Sequence, residues 1–308
     1  MINTKWQSTV KEKVRFTGKG LHSGRIVTLD IYPAEADTGI TFTRTDCDAP
    51  IEIRAHAANI SSTTLNTTIG SGHTSVSTIE HLMAALAGLG ISNARITLDG
   101  PEVPILDGSA RPFIEKLMRF GVKLLPQRQS ALFVTKPFEY RIGDQYVKVR
   151  PARQQKISCI IDFPHPAIGR QSMTYSGSKS EFLSVGSART FCSYSDVRKM
   201  RAQGLALGGS LDNAIVLSEK GVMNEEGLRS SQEFVEHKLL DLVGDLYLLG
   251  QPLVGSIEAY KPGHRLHAEF MKALLEQPEV IEQRFVGEQS QSQHIEIIQA
   301  SAGGIRFG

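Results

Sequence analysis

Cysteine is scarce in this 308-residue chain: only Cys47, Cys159 and Cys192 occur. Their spacing fits neither a disulfide framework nor a Cys-based metal site, so a reducing compartment is expected. An excess of one charge is also missing. The 34 Lys and Arg residues against 32 Asp and Glu leave a net charge of +2, too small to draw the chain to nucleic acid or an anionic membrane. No apolar run approaches the length of a membrane span, and the segment Met1–Gln7 has no apolar core of a secretory signal. A soluble cytoplasmic protein is expected, without a nucleic-acid partner and without stable membrane insertion. What remains is an ordinary globular mixture, 41% hydrophobic and 21% charged. Its length suggests two domains with ample core for each.

One stretch organises the rest: Glu233–Asp245, EFVEHKLLDLVGD. Ser230 followed three residues later by Glu233 has the spacing of a capping box, which predicts a helix start. His237, Asp241 and Asp245 then recur every four residues along one strip of that helix. Leu239, Leu242, Val243, Leu246 and Leu249 make it apolar nearly all round, the pattern of a buried helix. Ionisable groups on a buried helix need partners. A divalent metal is one such partner, and His with carboxylate suits zinc; a hydrogen-bonded His–Asp pair in a core is the plainer alternative.

Earlier in the chain, Val27–Tyr32 and Ile40–Arg44 read as strands. The Gly-rich stretch Thr17–Gly24 has no helix directly after it, so a hairpin turn is preferred to a phosphate cradle. A second capping-box spacing, Ser77 to Glu80, opens another helix that is apolar on every side and carries Glu80 and His81 in its first turn. Glu80 at that position can simply satisfy an N-terminal amide, and His81 can be a hydrogen-bonded core histidine. Further helices are expected near Arg111–Phe120 and Tyr194–Ala202. A polar linker is expected between Gly121 and Ser130, followed by strands over Ala131–Lys136, Gln145–Arg150, Lys156–Phe163 and Ser256–Tyr260. His264 follows on a Pro-Gly turn, where a surface-loop histidine is the alternative to a functional one. The tail after Glu288 is Gln-, Ser- and Gly-rich and is expected to be loosely held. Each half thus has strands first, then a buried Glu/His helix with a glycine seven residues after the histidine (Gly88, Gly244), which suggests a duplicated α+β unit.

If the two buried helices pack together, His81, His237 and Asp241 supply three ligands, the number typical of a catalytic zinc site. Glu80, beside a ligand, is then placed to take a proton from water. Asp245 is one turn too far for the same coordination sphere and suits orientation of a histidine. His264, as an imidazolium, can face an oxyanion and a departing amine.

These residues stand within a longer pattern: Thr17–Gly24, Ser77–Asn93, Pro101–Phe113, Ile161–Gly169, Ala188–Phe191, Leu207–Val216, Glu233–Leu246 and Lys261–His264. In this order the chain resembles the UDP-3-O-acyl-N-acetylglucosamine deacetylases, zinc enzymes of the committed step of lipid A synthesis in Gram-negative bacteria. The resemblance implies one zinc per chain on His81, His237 and Asp241, with Glu80 as general base and His264 as electrostatic or acid group oriented by Asp245. It implies Thr190 as an oxyanion-assisting group and Phe191 and Lys238 beside a UDP-linked acylated glucosamine. It also implies an α+β fold of two similar domains, 1–126 and 127–308, packed as a β-α-α-β sandwich with the helices inside. The acyl chain would lie in an apolar passage near Thr190–Gly209, and the protein would act as a monomer. Two other readings are a non-catalytic nucleotide-sugar or lipid-binding protein with a structural metal, and a zinc amidase of the same fold acting on another acylated sugar. The loop Ser61–Ser75 and the segment after Gln277 match no part of the pattern.

Overall fold

The computed structural model describes residues 5–287. Alternating sequence produces alternating burial in the strands: Val14 and Phe16 face in while Arg15 and Thr17 face out, and Ile157, Cys159 and Ile161 face in along Lys156–Asp162. These strands build two five-stranded sheets. The first has the order Val14–Lys19, Ile26–Tyr32, Ala94–Leu98, Ile40–Arg44, Glu52–Arg54. The second has the order Phe138–Ile142, Gln145–Arg150, Ser256–Tyr260, Lys156–Asp162, Arg170–Tyr175. The connectivity repeats. In each sheet the last strand of the sequence inserts at the centre, antiparallel to one neighbour (Leu29↔Leu98; Val149↔Ile257) and parallel to the other (Phe42↔Ile96; Cys159↔Ala259). The echo between the two halves of the sequence is therefore an echo in topology.

One face of each sheet is covered by helices. Helix α1 (Glu80–Leu89) is buried from Glu80 through Gly88. Helix α2 (Arg111–Phe120) buries Phe113, Ile114 and Leu117, and packs on α1 and the first sheet. Two shorter helices follow, α3 (Lys179–Val185) and α4 (Tyr194–Ala202). Helix α5 (Glu233–Leu246) is buried at every residue except Lys238, and α6 (His264–Leu275) packs on α5 and the second sheet. Helices α1 and α5 lie against each other at the centre of this mixed α+β sandwich. Burial of Leu82, Leu86, Leu239 and Leu242, all at 0% exposure, contributes roughly 1.5–3 kcal/mol per side chain and fixes the pair in place. The two helices approach closely at Gly244, where a Cβ would overlap the Glu80 carbonyl oxygen. Gly88, its counterpart in sequence, instead faces the Phe182 ring of α3. No helix among the described residues is long and apolar enough to cross a membrane.

Four sequence expectations need correction. Neither capping box forms. Helix α1 begins at Glu80 with Ile79 as its cap residue, and α5 begins at Glu233 after Gln232, both without a side-chain cap. The hydroxyls sit elsewhere: Ser77 on the Pro101 carbonyl and Ser230 on the Glu236 carboxylate. The linker expected between Gly121 and Ser130 is a strand, Val122–Arg128, paired antiparallel with Trp6–Val10. Pro126 is accommodated because the register shifts between Trp6, paired with Arg128, and Ser8, paired with Leu124, so the proline sits in a bulge of its own strand. His264 is not in a loop. It is the first residue of α6, with extended Gly263 before it. Residues Ile281–Phe285 form a strand along Ser130–Val134 that composition did not reveal. The tail after Glu288 lies outside the described residues.

Candidate metal centre and active site

The crossing of α1 and α5 brings together His81, His237 and Asp241, all buried, with their ligand atoms within 4.8 Å of one another. The Nε2 atoms of His81 and His237 lie 3.6 and 3.4 Å from Asp241 Oδ1, too long for good hydrogen bonds. Asp241 Oδ1 is buried and has no hydrogen-bond partner among the described residues. An unpartnered carboxylate oxygen between two imidazole nitrogens is costly by itself and fits a shared cation. The surroundings prepare two of the candidate donors, His237 and Asp241. His237 gives its Nδ1–H to the Ala188 carbonyl at 3.0 Å, which leaves Nε2 free as a ligand. Burial, outweighing Asp241, lowers the His237 pKa to about 4, so the ring is neutral at pH 7. Burial works against the Asp241 charge, but His237 and Lys238 beside it hold the carboxyl well below its usual range. The Lys238 ammonium takes only Oδ2, at 2.7 Å.

The Ala188 carbonyl is held in turn by its neighbour. Arg189, 1% exposed, donates through Nε to Glu233 Oε1 at 2.9 Å, and its backbone N–H meets the same oxygen at 3.1 Å. Its other nitrogens reach Glu226 and the Gly227 carbonyl. The carboxylate read from sequence as a cap at Glu233 thus locks the segment Ala188-Arg189, whose carbonyl orients His237.

Glu80 is 4% exposed. Its Oε2 accepts the backbone N–H of Thr67 at 3.0 Å, a contact across the fold and not a cap of its own helix. Burial raises its pKa above the usual carboxylate value, although the His264 charge opposes the shift. Asp245, one turn beyond Asp241, meets neither metal-facing nitrogen. Its Oδ2 accepts from His264 Nδ1 at 2.8 Å and from His267 Nδ1 at 2.7 Å, and its Oδ1 accepts the Thr67 hydroxyl at 2.6 Å. Burial disfavours a charged His264, and so does its place at the start of α6. The Asp245 carboxylate outweighs burial and lifts the His264 pKa to about 9.

Thr190 and Phe191 line a cavity of about 1150 Å³, together with Ile168, Val197, Met200 and Val216. It occupies the region expected for an apolar passage. Phe191 packs edge-on against Phe234 with ring centroids 5.0 Å apart, and reaches His237 at 6.2 Å. Thr190 is anchored by its backbone N–H on the Gly108 carbonyl at 2.8 Å. Gly108 has φ +82° and a Cβ there would overlap the Asn213 carbonyl, so this close approach requires glycine.

The structure therefore gathers His81, His237, Asp241 and Lys238 at one point, and Glu80, Asp245 and His264 through Thr67. Thr190 and Phe191 stand on the cavity wall. Sequence reasoning missed Thr67, Arg189 and His267. The spacing of His267, three residues after His264, would have signalled a shared helical face had α6 been read; Thr67 lies in the unmatched loop Ser61–Ser75.

With this geometry in view, residues 7–276 match the profile of the UDP-3-O-acyl N-acetylglycosamine deacetylases. A UDP-3-O-acyl-N-acetylglucosamine deacetylase from Geobacter sp. (strain M21) is 48% identical over 275 residues, covering 89% of this chain and 90% of the relative. Proteins of the same name from Citrifermentans bemidjiense (48% identity; 89% and 90% covered) and Acidithiobacillus ferrooxidans (47% identity; 87% and 90% covered) are similarly close. The chain belongs to the UDP-3-O-acyl N-acetylglycosamine deacetylase family.

Proposed function

We propose that this protein is a zinc-dependent amidase that hydrolyses the N-acetyl group of UDP-3-O-acyl-N-acetylglucosamine to UDP-3-O-acyl-glucosamine and acetate, a step of lipid A synthesis in the cytoplasm. The observation that carries this reading is Asp241 Oδ1, unpartnered among the described residues, between the imidazoles of His81 and His237. The N,N,O donor set fits zinc. His81, His237 and Asp241 would hold it, and zinc supplies Lewis acidity at the acetyl carbonyl and makes water acidic near neutral pH. Glu80 takes the proton of the attacking water, helped by a pKa that burial raises above the usual carboxylate value. The Thr190 hydroxyl supports the developing oxyanion. The His264 imidazolium, oriented by Asp245, stabilises that charge and delivers a proton to the departing amine. Phe191 and Lys238 border the substrate, and the cavity beyond Phe191 receives the acyl chain. The chain works as a monomer of two domains, 1–126 with Glu80 and His81, and 127–308 with His237, Asp241 and His264.

Acetate release from the acylated UDP-sugar is the test. Zinc-loaded protein should release acetate, chelation should stop release, and added zinc should restore it. Full activity of the metal-free protein, or no acetate from the zinc-loaded one, overturns the reading.

The pH dependence is a second prediction. His264 acts as a cation, so activity falls as pH rises through its pKa of about 9. In Asp245→Asn the carboxylate that raises this pKa is gone while burial, which lowers it, remains. The alkaline limb of kcat/KM should move to lower pH, toward or below the ordinary histidine value of 6.5. An unmoved limb excludes control of His264 by Asp245.

A further inference from the structure

Thr67 meets both ends of the proton-transfer machinery. Its backbone N–H holds Glu80 Oε2 at 3.0 Å, its hydroxyl donates to Asp245 Oδ1 at 2.6 Å, and the same oxygen lies 3.2 Å from His264 Nδ1. The side chain is 1% exposed. Glu80 is on α1, Asp245 on α5 and His264 on α6, so no single helix fixes their mutual geometry. The backbone beside Thr67 is specialised: Leu65 adopts φ +65°, a left-handed turn that costs a non-glycine residue energy. That turn precedes the strand Thr68–Ser71 and places both Thr67 donors inside.

From this geometry we propose that Thr67 is a positioning residue that couples base to acid: one residue aims the Glu80 carboxylate through its amide and the Asp245–His264 pair through its hydroxyl. Asp245 has three donors around it, from Thr67, His264 and His267. Among the described residues Thr67 is the one donor to Oδ1, so its hydroxyl holds that end of the carboxylate while His264 and His267 hold the other. The proposal deepens the deacetylase reading and rests on it.

Thr67→Val keeps the shape and the amide but removes the hydroxyl. At full zinc content it should lower kcat about 10- to 100-fold, the scale of a lost hydrogen bond to a charged group, with KM little changed. Thr67→Ser, which restores the hydroxyl, should stay within about threefold of wild type by the same reasoning. In an Asp245→Asn background the valine change should cost little more, because the two groups act as one unit. The Nδ1–H resonance of His264 in the NMR spectrum of zinc-loaded protein should shift in the valine variant and return in the serine variant. Should the valine variant not fold, Thr67→Ala is put through the same comparison. A near-wild-type kcat, failure of serine to rescue, additivity with Asp245→Asn or an unmoved His264 resonance overturns the proposal. Wild-type protein that releases no acetate overturns the deacetylase reading instead, and the resonance still decides the role of Thr67.

Discussion

His237→Ala should purify as a folded protein that has lost most of its zinc and nearly all acetate release. The substitution removes one of three donors, and two protein ligands hold zinc far more weakly than three. Folding should survive because alanine suits a helix interior. The penalty comes from the Ala188 carbonyl, which loses its partner at 3.0 Å, about 1–3 kcal/mol if nothing replaces it. Elemental analysis of the purified variant, beside a melting curve, is the measurement. Full zinc occupancy would remove His237 from the ligand set.

Glu80→Gln should show the opposite combination: unchanged zinc with turnover reduced roughly 10²- to 10⁴-fold, the usual contribution of a general base. Glutamine keeps an acceptor oxygen for the Thr67 amide, so the local structure persists while the proton-accepting charge goes. A helix-cap role for Glu80 would predict little change, and the structure already gives that carboxylate another partner. The wild-type acidic limb should follow the same group. Glu80 must be ionised to accept a proton, and burial raises its pKa, so activity falls as pH drops through that raised value. A rate near wild type in Glu80→Gln would end the assignment.

Much of the site was legible because it is helical and periodic. His237, Asp241 and Asp245 at four-residue spacing on an apolar background could only be a buried polar strip, and the fold keeps them there. The strand-helix echo appeared for the same reason, since two copies of one topology leave two copies of one pattern. Cap signatures misled because spacing records which partner is nearby and not which one wins. Glu233 was taken by Arg189, more than forty residues away in sequence, and Glu80 by Thr67. The strand Val122–Arg128 was hidden by a proline that only its bulge makes tolerable. Thr67 was silent altogether. Its function depends on three helices meeting around it, and nothing local in Asn66-Thr67-Thr68 distinguishes it from other polar loop residues.

The contact at Gly244 has a thermodynamic consequence. One donor of the proposed metal centre rides on α1 and two ride on α5, and the helices touch where Gly244 admits the Glu80 carbonyl. Ion affinity and the association of these helices are then reciprocally linked: a change that favours their separation weakens ion binding by the same factor by which the ion resists separation. A cation bound there is also a clasp between two segments that carry no covalent connection nearer than the 143 residues separating Leu89 and Glu233. Loss of the ion should therefore be felt first as looser crossing of the central helices, before any strand of either sheet lets go.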